Sequence, residues 1–259
     1  MFLISVWGSS GAGKTTVTLA LAAELARRKR DVLILSAETR TPALPVLLPT
    51  VIGLTGSNSI GPQLTAAKLT EAGLKDRMVR HPHSSHIFCA GLVSGETVAM
   101  TYGPPTRTAA VQLLGLLGQT PYDYVLVDCD SAPLYDQLTL AALEYAQMGL
   151  LICTPDVKGY EFQKAQLGWL GNSEAIHTDR FIRVANPVYP HTPVKDADAL
   201  FGGFAYKLPF AAQVAEKMMA GELLTGFDSA PGVSFSRSIS RLTDQIEEVQ
   251  RDGTAASAN

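Results

Sequence analysis

The sequence contains few cysteines, and their spacing excludes two common roles of this residue. Cys89, Cys129 and Cys153 are far apart, and no two of them form a Cys-x-x-Cys pair. An odd number of isolated cysteines builds neither a disulfide framework nor a zinc site. We therefore expect reduced thiols and a cytoplasmic protein.

The sequence also lacks a long apolar segment. None of its apolar runs reaches the roughly 20 residues that a membrane-spanning helix requires. The chain starts directly with a short apolar run and a glycine-rich loop, which leaves no room for a signal peptide. Any contact with a membrane is therefore expected to be peripheral.

Charged residues are scarce, since they make up 17% of the chain while hydrophobic residues make up 46%. Such a composition is typical of a parallel sheet that is covered by helices on both faces. The net charge of −3 argues against an overall attraction to nucleic acid, and only a local basic patch would support one. We expect one α/β domain over residues 1–251, followed by a polar, disordered tail over residues 252–259.

The N-terminal segment predicts a phosphate-binding loop. The apolar run at residues 2–6 leads into Gly8-x-x-x-x-Gly13-Lys14-Thr15, and a helical pattern follows. This order of strand, glycine loop and helix is typical of a P-loop, in which glycines let backbone N–H groups point at phosphate oxygens. A glycine-rich turn without a ligand is the alternative interpretation.

The residue types of the loop suggest individual roles. Lys14 would reach the outer phosphates, and Thr15 would ligate a magnesium ion that bridges them, with Thr16 the weaker candidate. The predicted cofactor-binding residues of this loop are Gly8, Ser9, Ser10, Gly11, Ala12, Gly13, Lys14, Thr15 and Thr16.

Two later strands are predicted to bring carboxylates to the same site. An apolar run at residues 124–127 ends on Asp128, which suits the Walker-B position that holds magnesium; Asp130 is a weaker second carboxylate. Glu38 follows the short apolar strand at residues 31–35 and is a candidate to orient an attacking water, or else merely caps a turn. Because ligands lie beyond the carboxyl ends of parallel strands, these side chains are expected near the loop.

Elsewhere the sequence is less specific. Asn186 could pair with the edge of a base or act as a turn residue before Pro187. The basic run at residues 27–30 is interpreted as the solvated end of a helix. The amphipathic pattern from residue 234 onward predicts a helix that packs on the domain rather than on a membrane.

Residues 41–103 give a weak pattern. A helix over residues 64–74 and a strand at residues 87–89 are the features that it supports. His81, His83 and His86 lie close together, but no cysteine or carboxylate joins them at metal-ligand spacing, so we expect surface histidines.

Taken in order, several segments resemble the MinD/ParA family of P-loop ATPases, within the SIMIBI class. They are GSSGAGKTT at residues 8–16, DVLIL followed by SAE at 31–38, YDYVLVDCD at 122–130, GLLICTPD at 149–156, RVANP at 183–187 and KLPF at 207–210. The resemblance implies a doubly wound, mostly parallel sheet with helices on both faces, which binds Mg-ATP. It also implies a homodimer around two nucleotides that exchanges partners on hydrolysis.

The resemblance assigns roles to residues of this chain. Lys14, Glu38 and Asp128 match the catalytic positions, with Thr15 and Asp128 as metal ligands. Asn186 matches the asparagine that reads adenine, and Pro209 and Phe210 fall in the segment that lines the base.

Two departures from the family pattern bear on catalysis. The family's loop carries a signature lysine that crosses to the partner subunit's phosphates, whereas Ser9 and Ser10 occupy this part of the loop here. Ser36 and Glu38 stand where the family has a pair of aspartates. A stabilising cation is thus missing, which predicts slow hydrolysis or a differently assembled dimer unless Lys158 or Arg40 substitutes.

The divergence points to the TadZ/CpaE-like branch, which localises pilus assemblies, more than to MinD or ParA themselves. A positioning factor for a pilus, secretion or partition system is the leading hypothesis, with a peripheral location at the inner membrane face or a cell pole. The alternatives are an ATP-bound scaffold that does not hydrolyse, or a synthetase or kinase that acts on a small molecule. DNA binding would require a basic surface, which the net charge does not favour.

Overall fold

The computed structural model describes residues 1–65, 69–97, 101–187 and 189–257, except for the side chains beyond residue 253. Its strands are β1 (Phe2–Gly8), β2 (Val32–Ser36), β3 (Val79–Arg80), β4 (Ile87–Ala90), β5 (Tyr124–Asp128), β6 (Met148–Cys153), β7 (Phe181–Ala185) and β8 (Tyr206–Lys207). Its α-helices are α1 (Lys14–Arg27), α2 (Leu44–Leu47), α3 (Gly61–Thr65), α4 (Glu71–Lys75), α5 (Arg107–Leu117), α6 (Gln137–Tyr145), α7 (Val157–Leu170), α8 (Val194–Leu200), α9 (Ala212–Ala220) and α10 (Ala230–Ser257).

The strands form one sheet in the order β3-β4-β2-β5-β1-β6-β7-β8. Within the described ranges, every neighbouring pair is parallel except β3 and β4 at one edge, which are antiparallel. The predicted doubly wound, mostly parallel α/β fold is therefore confirmed. The strand that leads into the glycine loop, β1, lies between β5 and β6.

Both faces of the sheet are buried under helices. In β1, Phe2, Ile4 and Val6 contribute to one apolar cluster, and Leu3 and Trp7 contribute to the other. The first cluster includes residues of α1, α9 and α10, and the second includes residues of α5 and α6. This arrangement explains why the central strands are apolar throughout and not alternating.

The long C-terminal helix packs on the domain, as its amphipathic pattern predicts. Phe235, Ile239, Leu242 and Ile246 of α10 are buried in the same cluster as α1. The described helix continues through Ser257, so the part of the predicted disordered tail at residues 252–257 is helical; residues 258 and 259 lie outside the described residues. Extension of an existing helix costs little, because each added residue gains one hydrogen bond, and the alanines in this tail favour the helical conformation. Among the described residues, no helix is long and apolar enough to cross a membrane.

The prediction that the basic run at the end of α1 is solvated is wrong for Arg28. Its side chain is largely buried and forms ion pairs with Glu24 at 2.9 Å, Asp244 at 2.7 Å and Glu247 at 2.8 Å. Arg28 thereby joins α1 to α10. Glu24 belongs to α1 itself, but Asp244 and Glu247 come from a helix that lies far away in the sequence, so the local pattern gave no sign of them.

The prediction of surface histidines is wrong for His81. This side chain is 3% exposed, and its Nδ1 atom accepts a hydrogen bond from the backbone N–H of His83. Burial, together with the nearby His83, lowers the pKa of His81 to about 4. The histidine is therefore neutral at physiological pH.

Candidate functional site

The site lies at the carboxyl edge of the central strands. Val6 of β1 and Ser36 of β2 both pair with Asp128 of β5, so the ends of these three strands are adjacent. The pairing of β1 with β5 thus brings the glycine loop that follows β1 next to Asp128, the last residue of β5. This edge is where ligands bind in open α/β sheets.

Two glycines of the loop occupy positions where a side chain would collide with a neighbour. Gly8 has φ 156° and Gly13 has φ 86°. A Cβ atom on Gly8 would meet the carbonyl oxygen of Ile152, and one on Gly13 would meet the amide nitrogen of Asn186. Both residues must be glycine for the loop to lie this close to the neighbouring strands.

Asn186 braces the loop from the end of β7. Its side chain is 8% exposed, and its Nδ2 atom donates a hydrogen bond of 2.8 Å to the carbonyl oxygen of Ala12. The sequence suggested only a base-reading or turn role for this asparagine. The contact with Ala12 depends on the tertiary structure and has no sequence signature.

Lys14 begins α1 and reaches back over the loop. Its Nζ atom donates to the carbonyl oxygen of Ser9 at 3.3 Å and to Ser131 Oγ at 2.6 Å. The ammonium group is thereby held between the loop and the segment that follows β5. Ser131 was not predicted as a site residue. Its position three residues after Asp128 is the one sequence feature that could have indicated it.

Thr15 and Asp128 are in direct contact. Thr15 Oγ1 donates a hydrogen bond of 2.7 Å to Asp128 Oδ2, whereas Asp128 Oδ1 is buried and has no partner among the described residues. Burial raises the pKa of Asp128 to about 6, although the Thr15 hydroxyl and the Lys14 charge oppose the shift. Thr16 Oγ1 points elsewhere and contacts Met218 Sδ at 2.9 Å.

This pair fits a magnesium ion. Hydroxyl and carboxylate oxygens are the ligands that Mg²⁺ prefers, and they usually bind it together with water and phosphate. The unpartnered Oδ1 atom of Asp128 is an acceptor that such a hydrated ion would satisfy. Thr15 and Asp128 are therefore the residues that would hold the metal.

A small cavity of about 90 Å³ lies above these residues. Lys14, Thr15, Glu38 and Asp128 line it together with residues 41–43. Burial raises the pKa of Glu38, and the charge of Asp130 adds to the shift, while Arg40 opposes it. The structure thus places all three predicted catalytic residues around one cavity.

A second, larger cavity of about 640 Å³ lies beside the loop that follows β7. Pro209 and Phe210, which the resemblance places near a base, line this cavity. The remaining lining residues were not identified from the sequence; they are Pro187, Tyr189, Pro190, Thr192, Val194, Leu208, Ala230, Pro231 and Ser234. Rings of proline and aromatic residues give a flat, apolar surface of the kind that suits a base.

Several apolar side chains are exposed after the strands that end at the site. Leu134 and Tyr135 follow β5 and are 46% and 89% exposed, and Val157 follows β6 and is 75% exposed. These three residues follow the two strands that flank β1, and exposed apolar patches are typical of interaction surfaces.

Comparison with solved structures defines the class of fold. A ParA family ATPase from Chlorobium tepidum TLS has a TM-score of 0.75 at 16% identity, over 93% of this chain and 98% of that one. The septum site-determining protein MinD from Pyrococcus horikoshii OT3, complexed with Mg-ADP, has a TM-score of 0.73 at 15% identity, over 96% and 97% of the two chains. A MinC:MinD cell division complex from Aquifex aeolicus gives 0.71 at 16%, over 94% and 96%.

No protein-family model and no curated protein matches the chain. Its likeness to known proteins is therefore structural and extends over nearly the whole length of each neighbour. The chain has the fold of the MinD/ParA P-loop ATPases.

Proposed function

We propose that this chain is an ATP-binding and ATP-hydrolysing member of the MinD/ParA family. The proposal depends on one observation: Lys14, Thr15 and Asp128 lie together at the glycine loop, and a buried carboxylate oxygen of Asp128 has no partner in the part of the chain that the structure describes. A structural neighbour that is complexed with Mg-ADP supports the choice of ligand.

The residues act on the nucleotide in distinct ways. The backbone N–H groups of the loop and the start of α1 bind the phosphates, and Lys14 exchanges Ser131 for a phosphate oxygen. Thr15 and Asp128 hold the magnesium ion, which neutralises charge on the phosphates when it is bound. Glu38 lines the same cavity, where its carboxylate can accept a hydrogen bond from the attacking water.

The larger cavity is proposed to hold the adenine. Its lining of prolines and of Tyr189 and Phe210 offers stacking surfaces, and Asn186 stands between this cavity and the loop. The Nδ2 atom of Asn186 is engaged by Ala12, so its Oδ1 atom is the group that would accept a hydrogen bond from the amino group of adenine.

We further propose that the chain switches between a monomer and a nucleotide-sandwich homodimer and thereby positions a partner assembly. The exposed side chains of Leu134, Tyr135 and Val157 follow the two strands that flank β1, where a second copy would bury them. The partner would belong to a pilus, secretion or partition system, and the chain would act in the cytoplasm or peripherally at the membrane. The MinC:MinD complex supports the general idea, because there a protein of this fold binds another protein.

A non-hydrolysing, ATP-bound scaffold is the second candidate. It is favoured by Ser9 and Ser10, which replace the part of the loop where the family has its signature lysine. Turnover measured on the purified chain separates the two candidates.

The test compares the chain with its Lys14→Ala variant. We expect this substitution to weaken Mg-ATP binding by more than about 100-fold, measured with a fluorescent ATP analogue, because the lysine charge faces the phosphates. The exposed Lys164 provides a matched control, since Lys164→Ala should leave the affinity unchanged. Unchanged affinity in Lys14→Ala would refute the P-loop assignment.

Light scattering with Mg-ATP, with Mg-ADP and without nucleotide tests the dimer, and phosphate release from the same samples tests hydrolysis.

A further inference from the structure

Arg40 is held at the edge of the site by a buried acid. Its Nε and Nη2 atoms donate to the two carboxylate oxygens of Asp130, at 3.1 Å and 2.6 Å. The Asp130 side chain is 2% exposed, whereas that of Arg40 is 63% exposed. A two-pronged pair of this kind fixes the plane of a guanidinium group as well as its position.

The acid is itself fixed in place. Asp130 Oδ1 also accepts a hydrogen bond of 2.6 Å from the backbone N–H of Ala132, and the backbone N–H of Asp130 donates to Thr139 Oγ1 at 2.8 Å. Nη1, the third nitrogen of Arg40, donates to no atom of the described residues. The fold therefore positions a cation and leaves one of its donor groups available.

This cation flanks the cavity that contains the phosphate-binding residues. The backbone N–H of Arg40 donates to Glu38 Oε1 at 3.2 Å, and the residues that directly follow Arg40 line the same cavity as Lys14. On the other side, Ser131 follows Asp130 and contacts the Lys14 ammonium. Arg40 is thus connected to the site both through its own loop, which lines the cavity, and through Asp130, which precedes Ser131.

We propose that Arg40 is a catalytic residue that supplies, within one chain, the transition-state charge that Ser9 and Ser10 do not provide. This inference rests on the proposed ATPase function. In hydrolysis, the water oxygen forms a bond to the γ-phosphorus while the bond to the β–γ bridging oxygen breaks. The electron pair of that bond stays on ADP, and the proton of the water passes to the departing phosphate. Arg40 N–H groups neutralise the negative charge that grows on the bridging and γ-phosphate oxygens.

Lys158 is the competing cation, and its setting is different. It lies in the first turn of α7, is exposed, and forms no hydrogen bond or ion pair with the described residues. A flexible lysine without a partner must lose side-chain freedom to reach a phosphate, whereas Arg40 has already lost it. The structure therefore favours Arg40.

The test measures single-turnover hydrolysis and Mg-ATP affinity in Arg40→Gln, Lys158→Gln and Arg27→Gln. Arg27 is the matched control because it is 62% exposed and also pairs with a buried carboxylate, Glu24, away from the site. We expect Arg40→Gln to lower the hydrolysis rate by about 100-fold or more and to change the affinity by less than about threefold. Guanidinium ion added at low millimolar concentration should restore part of the rate in Arg40→Ala.

A second variant guards against misfolding, since Arg40→Gln leaves Asp130 without its partner. The double variant Arg40→Gln/Asp130→Asn removes both charges, and it should bind Mg-ATP with nearly normal affinity and be equally slow. A normal rate in Arg40→Gln, a loss of rate in Lys158→Gln alone, or a loss of affinity without a loss of rate would overturn the inference while the ATPase proposal stands. A wild-type chain that binds Mg-ATP without releasing phosphate would overturn both.

Discussion

The Nζ atom of Lys14 lies 2.6 Å from Ser131 Oγ, so the lysine of the glycine loop is held by the segment that follows β5. The same segment carries the exposed Leu134 and Tyr135. A phosphate that takes the place of Ser131 at Lys14 therefore releases a contact of the segment that is proposed to meet a second copy. The proposed nucleotide site and the proposed dimer surface are therefore joined by one hydrogen bond.

Ser131→Ala should strengthen nucleotide binding slightly. The substitution removes a contact that exists only before the phosphate arrives, and a hydrogen bond to a charged group contributes about 1.5 kcal/mol, which corresponds to roughly tenfold. We expect a threefold to tenfold gain in Mg-ATP affinity, measured by titration calorimetry. Ser173→Ala, on a distant turn, serves as the control. Weaker binding in Ser131→Ala would mean that this serine contacts the nucleotide itself.

Asn186→Ala should distinguish bracing of the loop from reading of the base. The loss of the hydrogen bond to Ala12 leaves a buried carbonyl without its donor, which should weaken ATP and GTP alike by about tenfold. If the amide also reads adenine, the variant should in addition lose its preference for ATP over GTP. Competition binding with both nucleotides measures the two effects separately, and unchanged affinity for both would contradict either role.

Arg28→Met should destabilise the domain by about 1–3 kcal/mol. The variant keeps the length of the side chain but leaves Glu24, which is 5% exposed, with fewer partners, and it removes the link to Asp244 and Glu247. Urea denaturation provides the measurement. Arg30→Met is the control from the same basic run; the Arg30 side chain is 47% exposed, so we expect a change below about 0.5 kcal/mol. Equal effects would show that the burial of Arg28 does not matter.

His81 should make the stability of the domain depend on pH. Its pKa is lowered to about 4 in the folded chain, so the unfolded chain binds more protons between about pH 4 and 6.5. The free energy of unfolding should therefore fall as the pH falls through this range, with a contribution of about 2 kcal/mol between pH 7 and pH 5. His81→Gln should lack this contribution, whereas the exposed His191→Gln should retain it. Urea denaturation at the two pH values compares the three proteins, and parallel changes in all of them would exclude His81 as the source.

Much of the fold was predictable because its signals are local. The glycine loop, the apolar strand that ends at Asp128 and the amphipathic pattern of α10 each depend on neighbouring residues, and each predicted element is present. The segment at residues 41–103 lacked such signals. The helix predicted over residues 64–74 is instead divided, since α3 ends at Thr65 and α4 begins at Glu71, and residues 66–68 lie outside the described residues.

The rest of the site depends on contacts between distant parts of the chain. Ser131 with Lys14, Arg40 with Asp130, and Asn186 with Ala12 each join different elements of the fold. No spacing rule in the sequence links these pairs. His81 was wrongly predicted to lie on the surface for the same reason, because the spacing of histidines in a sequence does not indicate which of them is buried.

The packing of α10 on α1 has a practical consequence for work with this chain. Phe235, Ile239, Leu242 and Ile246 belong to the apolar cluster that also contains Leu21 and Leu25 of the helix that begins with Lys14. A chain shortened before Phe235 would leave that face of α1 in water and would be expected to aggregate. Recombinant versions should therefore keep the C-terminal helix complete, with any affinity tag attached beyond residue 257.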